Sequence, residues 1–141
     1  MAILVTGGAG YIGSHMVHEL TDAGEAVVVL DNLSTGFRFL IPSHVPLIVG
    51  NTGDQELVAD LIRRHRVESI IHFAASIVVP ESVADPLGYY RNNTLNTALL
   101  LQAAVTAGML WITSPSEDVL MNRIWLKALV PARQLRPYTT G

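Results

Sequence analysis

The sequence predicts an α/β fold of the Rossmann type, a doubly wound parallel sheet that is truncated after about five strands in the order 3-2-1-4-5. The first observation behind this prediction is the unit at residues 2–31, where an apolar run, a glycine-rich turn, a helical pattern and a second apolar run follow one another. The second is that short apolar runs and helical patterns continue to alternate as far as residue 112. Right-handed crossovers between parallel strands favour the stated strand order.

The composition fits one such domain. The 141 residues are 50% hydrophobic and only 15% charged, and this balance indicates a sheet that is buried on both faces. We assign residues 1–115 to an incomplete dinucleotide-binding domain. The character of the sequence changes beyond Gly108, so we assign residues 116–141 to an atypical tail with one helix followed by disorder.

The first strand, Ala2–Val5, leads directly into a glycine-rich turn. Residues 6–13 read Thr-Gly-Gly-Ala-Gly-Tyr-Ile-Gly. The glycines at 8, 10 and 13 satisfy G-x-G-x-x-G, and those at 7, 10 and 13 satisfy G-x-x-G-x-x-G, so the sequence leaves open which glycine makes the first turn. Glycines there allow a sharp turn, close approach of a pyrophosphate and tight packing of the helix on the strand.

A helix follows the turn and presents its first N–H groups, those of Tyr11, Ile12 and Gly13, to the phosphates. An apolar stripe on one face continues until Gly24 ends the helix; its members are Ile12, Met16, Val17 and Leu20. Asp31 closes the second strand, where its carboxylate can accept hydrogen bonds from both hydroxyls of the adenosine ribose. The same carboxylate would repel a 2′-phosphate, which predicts NAD rather than NADP as the cofactor.

The third strand is predicted at Leu47–Val49, after a polar loop at residues 32–43. Asp54 is placed to cap the next helix. That helix carries one apolar stripe, formed by Leu57, Val58, Leu61 and Ile62.

The fourth strand is predicted at Ser69–Phe73, before small residues that allow a ligand to approach closely. A loop at Ile77–Leu87 precedes a long helix at Tyr89–Ala107, and Met109–Ile112 is the expected fifth strand. The long helix is expected to turn four residues inward, namely Leu95, Leu99, Leu100 and Ala103. We expect the helices after strands one and three to cover one face of the sheet and the long helix to cover the other.

Charge and composition argue against several function classes. The formal net charge is −3 and the isoelectric point is about 5.9, without a basic stripe, so nucleic acid is not an expected partner. The absence of cysteine excludes disulfides and thiolate chemistry. No apolar stretch approaches membrane-spanning length and no signal peptide is recognisable, so we expect a cytoplasmic protein without a membrane partner. No metal site is predicted.

Five segments carry a resemblance to a known family. The segments are Ile-Leu-Val-Thr-Gly-Gly-Ala-Gly-Tyr-Ile-Gly-Ser-His at residues 3–15, Leu-Asp-Asn-Leu-Ser at 30–34, Ile-His-Phe-Ala-Ala at 71–75, Pro-Glu-Ser-Val at 80–83 and Tyr-Tyr-Arg-Asn-Asn at 89–93. Together they resemble the UDP-glucose 4-epimerases, a branch of the extended short-chain dehydrogenase/reductase family. The resemblance extends from Met1 to about Gly108.

The resemblance implies a tightly held NAD that oxidises C4 of UDP-galactose or UDP-glucose and reduces the 4-keto sugar from its other face. It also implies a UDP-sugar substrate and, for the family, a homodimer. It places Asn51 and Thr52 beside the adenine, and the Asn51 amide can hydrogen-bond the edge of the base. The cofactor-binding positions it implies are Gly7, Gly10, Tyr11, Ile12, Gly13, Asp31, Asn32, Ser34, Asn51, Thr52, Phe73, Ala74, Ala75 and Asn92.

The family's catalytic residues have no counterpart in this sequence. A Ser-Ser-Thr/Ser segment should follow the fifth strand, but residues 113–116 read Thr-Ser-Pro-Ser. The family's Tyr-x-x-x-Lys pair, in which the lysine lowers the pKa of a tyrosine base, is also missing, because Tyr138 is followed only by Thr-Thr-Gly. We therefore assign no catalytic residue and predict that this chain alone is inactive. We expect these 141 residues to lack the family's uridine-nucleotide domain and the tyrosine-bearing helix of its dimer interface too.

Three interpretations remain open at this stage. The leading one is the NAD-binding portion of a UDP-glucose 4-epimerase whose gene is truncated, or frameshifted after Gly108. A second is a fragment of a nucleotide-sugar 4,6-dehydratase or another extended reductase, which residues 76–83, Ser-Ile-Val-Val-Pro-Glu-Ser-Val, disfavour. A third is a non-enzymatic dinucleotide-binding module or an unstable frameshift product.

Overall fold

The centre of the fold is a parallel β-sheet. The structure, a computed structural model, describes residues 1–109 and the backbone of residues 112–113. The strands are β1 (Ala2–Thr6), β2 (Val27–Asp31), β3 (Leu47–Val49), β4 (Val67–His72) and β5 (Ile112–Thr113). They pair in the order β3-β2-β1-β4-β5 with every pairing parallel, which confirms the predicted order.

Helical segments occupy most of the connections. The α-helices are α1 (Tyr11–Asp22), α2 (Gln55–His65), α3 (Val79–Ala84), α4 (Pro86–Tyr90) and α5 (Asn96–Thr106). A short 3₁₀ helix spans Arg38–Leu40, and a π-helical turn spans Arg91–Leu95. Asp54 caps α2 as predicted, because its Oδ1 accepts a hydrogen bond from the N–H of Leu57 at 3.0 Å. Within the described residues, no helix is both long and apolar enough to cross a membrane.

The hydrophobic core has two layers, one on each face of the sheet. All five residues of β1 are buried, and their side chains alternate between the layers, with Ile3 and Val5 in one and Leu4 in the other. The first layer packs against Val17 and Leu20 of α1. The second packs against two helices, through Val58, Leu61 and Ile62 of α2 and Leu100, Ala103 and Ala104 of α5.

The assignment of helices to faces was wrong in one respect. We expected α1 and α2 on the same face, but α2 lies beside α5 on the face opposite α1. The reason is the direction of the crossovers. The chain moves outward from β1 to β3 and then returns across the sheet to β4, so a right-handed connection must change faces.

Several boundaries also differ from prediction. The fourth strand is Val67–His72 rather than Ser69–Phe73, and the fifth pairs with it at residues 112–113 rather than starting at Met109. The segment predicted as a loop at Ile77–Leu87 contains α3 and the start of α4. A proline stands in the first turn of each of these helices, where its missing N–H costs no hydrogen bond. The predicted tail at residues 116–141 lies outside the described residues.

The long helix predicted at Tyr89–Ala107 is interrupted by the π-helical turn at Arg91–Leu95. Such a turn accommodates one extra residue and rotates the helical segment before it relative to the segment after it. Leu100 and Ala103 are buried as expected, but Leu95 is 46% exposed. Ile12 was likewise assigned to the buried face of its helix, yet it is 43% exposed, because it lines an open cleft at the start of α1.

Candidate functional site

A cleft of about 350 Å³ lies at the carboxyl edge of the sheet, where open α/β sheets bind their ligands. All of the residues predicted from the sequence to contact a dinucleotide line it. They are Gly7, Gly10, Tyr11, Ile12, Gly13, Asp31, Asn32, Ser34, Asn51, Thr52, Phe73, Ala74, Ala75 and Asn92. The fold therefore brings together segments that follow β1, β2, β3 and β4.

The glycine that makes the first turn is Gly7. Its φ is +69°, a conformation that favours glycine. A Cβ atom at Gly7 would lie 2.6 Å from the backbone nitrogen of Ala74, so the turn after β1 and the segment after β4 are in direct backbone contact. Gly8 instead faces the core, where a Cβ would lie 2.8 Å from Val29 Cγ1. The structure thus selects the G-x-x-G-x-x-G pattern at 7, 10 and 13 from the two that the sequence left open.

The start of α1 packs closely on this turn. A Cβ atom at Gly13 would collide with the carbonyl oxygen of Gly7 and lie 2.8 Å from Gly8 Cα. Gly10 is the N-cap residue and supplies no side-chain hydrogen bond to the helix. The first N–H groups of α1 therefore have no partner within the helix and face the cleft together with the positive end of its dipole. This arrangement can bind a phosphate through the backbone alone.

Asp31 lies at the end of β2 and is only 7% exposed. Its Oδ2 accepts a hydrogen bond from the N–H of Ala9 at 2.9 Å, and its Oδ1 accepts one from the N–H of Leu33 at 2.8 Å. The carboxylate therefore ties the glycine turn to the loop after β2. Each carboxylate oxygen can accept about two hydrogen bonds, so Oδ1 and Oδ2 can each still accept one from a hydroxyl group of a ligand.

Two Asx turns shape the wall of the cleft beyond Asp31. Asn32 Oδ1 accepts a hydrogen bond from the N–H of Ser34 at 3.0 Å, and Asn51 Oδ1 accepts one from the N–H of Gly53 at 2.7 Å. Because the side-chain oxygen of Asn51 is used in this way, its amide NH₂ group is the part left to donate to a ligand. Thr52, beside it, is buried.

The wall on the β4 side is held by asparagines from the π-helical turn. Asn93 bonds the backbone of Ser76 twice: its Oδ1 accepts from the Ser76 N–H at 2.7 Å, and its Nδ2 donates to the Ser76 carbonyl oxygen at 2.8 Å. Asn92 donates from Nδ2 to Ser76 Oγ at 2.8 Å. The sequence placed Asn92 in the site and Ser76 among the small residues that allow a ligand to approach, but it indicated neither the hydrogen bond between them nor a role for Asn93.

His72 connects β1, β4 and α5 beneath this wall. Its Nδ1 lies 2.6 Å from Thr6 Oγ1 and its Nε2 lies 3.0 Å from Thr97 Oγ1. The Thr97 hydroxyl already donates to the carbonyl oxygen of Asn93 at 2.7 Å. His72 Nε2 must therefore carry the proton and donate to Thr97, while Nδ1 accepts from Thr6. Burial lowers the pKa of His72 below its usual 6.5, in agreement with this neutral tautomer.

The lowered pKa of His72 predicts a loss of stability in acid. The folded state disfavours the charged imidazole, so the contribution of His72 to the free energy of unfolding is complete above the unfolded pKa of 6.5. This contribution is lost as the pH falls below that value. We expect the free energy of unfolding, measured by denaturant titration, to be smaller at about pH 5.5 than at about pH 7.5. His72→Gln should reduce this difference. An unchanged difference in that variant would show that groups other than His72 cause the effect.

Further residues line the cleft beyond those predicted to contact the cofactor. They are Leu30, Thr35, Gly50, Ser76, Ile77, Val78, Glu81 and Tyr89. The Tyr89 hydroxyl lies 2.7 Å from the carbonyl oxygen of Val78 and 3.1 Å from Glu81 Oε2, and it accepts from the N–H of Val78 at 3.0 Å. Desolvation and the nearby Glu81 carboxylate raise the pKa of Tyr89. The tyrosine at residue 89 belongs to a recognisable segment, but no sequence pattern relates it to the loop it closes.

The cleft has no basic side chain among the described residues that line it, and its charged members are Asp31 and Glu81. A bound anion would therefore be neutralised by backbone N–H groups and the dipole of α1. No cluster of three or more potential metal ligands occurs among residues 1–109. The cleft is thus suited to an elongated ligand with a central phosphate and a hydroxyl-bearing group at Asp31.

Comparisons with known proteins identify the family of the chain. The model of the NAD dependent epimerase/dehydratase family matches residues 3–117. The UDP-glucose 4-epimerase of Azospirillum brasilense is 58% identical over 76% of this chain, which corresponds to 31% of that protein. The UDP-glucose 4-epimerase of Lactobacillus helveticus is 38% identical over 98% of this chain and 43% of its own length, so alignable sequence continues beyond Gly108.

A solved structure gives the same result. The UDP-glucose 4-epimerase of Thermus thermophilus, crystallised as a complex with NAD, superimposes with a TM-score of 0.75 and 41% identity over 79% of this chain and 36% of that one. The chain thus spans about a third of the length of the Azospirillum and Thermus proteins. A family model that covers most of the chain and relatives of this identity lead to one conclusion: the chain belongs to the NAD dependent epimerase/dehydratase family, and its similarity is to part of the UDP-glucose 4-epimerases.

Proposed function

We propose that this chain binds NAD in the cleft at the carboxyl edge of the sheet, as the dinucleotide-binding part of a UDP-glucose 4-epimerase. The observation that carries the proposal is the convergence of the glycine turn, Asp31 and the Phe73–Ser76 segment on one cleft. In this proposal the adenosine ribose bonds Asp31, the pyrophosphate lies against the start of α1, and the adenine lies near Asn51 and Thr52.

The residues present fit this cofactor. Gly7 and Gly13 let the turn after β1 pack directly on the backbone of Ala74 and on the start of α1, and this packing holds the first N–H groups of α1 at the cleft for a pyrophosphate. Asp31 is held by two backbone N–H groups, yet each of its oxygens keeps a lone pair for a ribose hydroxyl. A ribose 2′-phosphate would bring a second negative charge against this buried carboxylate, and this supports NAD over NADP. Bound NAD would supply the hydride acceptor of the reaction.

We further propose that the whole protein to which this sequence corresponds interconverts UDP-glucose and UDP-galactose, and that these 141 residues alone do not. The sequence contains a single lysine, Lys127, and the residue four positions before it is Arg123 rather than tyrosine. These residues therefore lack the Tyr-x-x-x-Lys pair in which a lysine activates a tyrosine base. The dehydratase alternative is not favoured, because the relatives are UDP-glucose 4-epimerases. The cytoplasmic location stays a prediction, and the homodimer stays what the resemblance implies for the whole protein rather than for these 141 residues.

Thermal unfolding of the 141-residue chain with and without NAD tests the proposal. A ligand that binds only the folded state stabilises it by about 2.7 kcal/mol when its free concentration is about 100 times Kd. For a domain of this size we expect the midpoint to rise by about 10 °C. No rise with saturating NAD would reject cofactor binding. Formation of UDP-glucose from UDP-galactose by the purified chain would contradict the proposal that these 141 residues alone are inactive.

A further inference from the structure

Ser76 stands out among the lining residues because three of its polar groups are already oriented by neighbouring side chains. Asn93 holds its backbone N–H and carbonyl oxygen at 2.7 and 2.8 Å, and Asn92 donates to its Oγ at 2.8 Å. A hydroxyl that accepts a hydrogen bond still has its own proton to donate. Among the described residues, the Ser76 hydroxyl donates to no protein group.

The position of Ser76 relates it to one half of the proposed cofactor. Asp31 ends β2, and α1 begins just after β1. A dinucleotide with its adenosine ribose at Asp31 and its pyrophosphate at the start of α1 therefore crosses the sheet from β2 toward β4. The other half of the dinucleotide must then lie beyond β1, over the segment that comes after β4. Ser76 belongs to that segment and lines the cleft there.

We propose that the Ser76 hydroxyl donates a hydrogen bond to an acceptor oxygen on the nicotinamide riboside half of NAD, and that Asn93 is the positioning residue that holds Ser76 in place. This inference rests on the proposed function, since it assumes that NAD binds in the cleft. It adds a contact with the half of the cofactor that carries the redox chemistry. The contact comes from a serine that belongs neither to the glycine turn nor to the segment around Asp31.

The π-helical turn explains how the positioning residue reaches its target. Residues 91–95 form one wide turn between α4 and α5, and turns of this kind are frequent at functional sites. Asn92 and Asn93 both bond Ser76 from this turn. The carbonyl oxygen of Asn93 accepts the hydrogen bond from Thr97, which in turn accepts from His72. A continuous set of hydrogen bonds therefore fixes the turn against the sheet.

Calorimetric titration of the 141-residue chain with NAD and with ADP tests this inference, because ADP lacks the nicotinamide riboside half. Ser76→Ala should weaken NAD binding about three- to tenfold, which is the range for one neutral hydrogen bond, and should leave ADP binding unchanged. Ser82→Ala is the matched control, since the Ser82 hydroxyl donates to the Val79 carbonyl oxygen outside the cleft. Asn93→Ala should also weaken NAD selectively and speed hydrogen exchange at the Ser76 amide.

Equal NAD affinity in Ser76→Ala and the unsubstituted chain would overturn the inference while leaving NAD binding itself established. Loss of ADP and NAD affinity by the same factor would also overturn it, because that result indicates a general disturbance of the cleft. If the unsubstituted chain binds neither ligand, the proposed function fails and this inference fails with it.

Discussion

Replacing Gly13 with alanine is expected to abolish NAD binding and to lower the thermal midpoint by about 10 °C. The added Cβ would collide with the backbone carbonyl oxygen of Gly7 and lie 2.8 Å from Gly8 Cα. Backbone atoms cannot rotate away as a flexible side chain can, so α1 must move off the turn. That movement opens the contact between the helix and β1 and displaces the N–H groups that face the cleft. Thermal unfolding and calorimetric titration with NAD measure the two effects.

Gly24→Ala provides the control for backbone conformation alone. Gly24 has a φ of +81°, and a Cβ atom added there would have no other atom within 4 Å. Alanine at this position therefore introduces conformational strain of about 1 kcal/mol without a collision. We expect its NAD affinity to equal that of the unsubstituted chain. If Gly13→Ala retains NAD affinity, the close packing of α1 on the turn is not needed for binding.

Replacing Asp31 with alanine is expected to weaken NAD binding by about 100-fold or more. Each hydrogen bond between a ribose hydroxyl and a carboxylate contributes about 1.5–3 kcal/mol, and about 1.4 kcal/mol corresponds to a factor of ten in affinity. The substitution also releases the N–H groups of Ala9 and Leu33, which the carboxylate holds at 2.9 and 2.8 Å. The loops on either side of the site therefore lose a shared anchor. Calorimetric titration with NAD measures the loss.

The same variant tests the preference for NAD over NADP. We expect the unsubstituted chain to bind NADP more weakly than NAD, and Asp31→Ala to reduce this preference because the repelling charge is removed. Asp60→Ala is the matched control, since it removes a carboxylate whose partners are exposed arginines of α2, Arg63 and Arg64. That control should bind both dinucleotides as the unsubstituted chain does. Tighter binding of NADP than NAD by the unsubstituted chain would contradict the role of Asp31.

The β1-α1-β2 unit was predicted closely because its signals are local. The apolar run at residues 2–5, the glycines and the acid at residue 31 act through backbone conformation and strand burial, and both depend on residue type at a fixed position. The cap at Asp54 and the buried stripe of α2 were predicted for the same reason. All of the residues proposed for the cofactor site line one cleft, because β1, β2, β3 and β4 run parallel and so end at the same edge of the sheet.

Predictions failed where the outcome depended on how segments meet. The π-helical turn at residues 91–95 leaves Leu95 exposed, although the helical spacing of apolar residues continues without a break. The faces of α1 and α2 were misassigned because the reversal of strand order after β3 was not carried through to the handedness of the crossover. In both cases the local pattern was compatible with more than one arrangement.

The sequence by itself determined the class of fold, the strand order, and the glycine turn and acid of the candidate dinucleotide site, since these follow from residue types that restrict the backbone. Only the tertiary structure decided which glycine makes the turn, because that choice depends on the backbone contact between Gly7 and Ala74. It also decided that Asn93 holds Ser76 across 17 positions of the chain. Hydrogen bonds between distant side chains and backbone depend on the packing of whole elements, and no periodicity in the sequence records them.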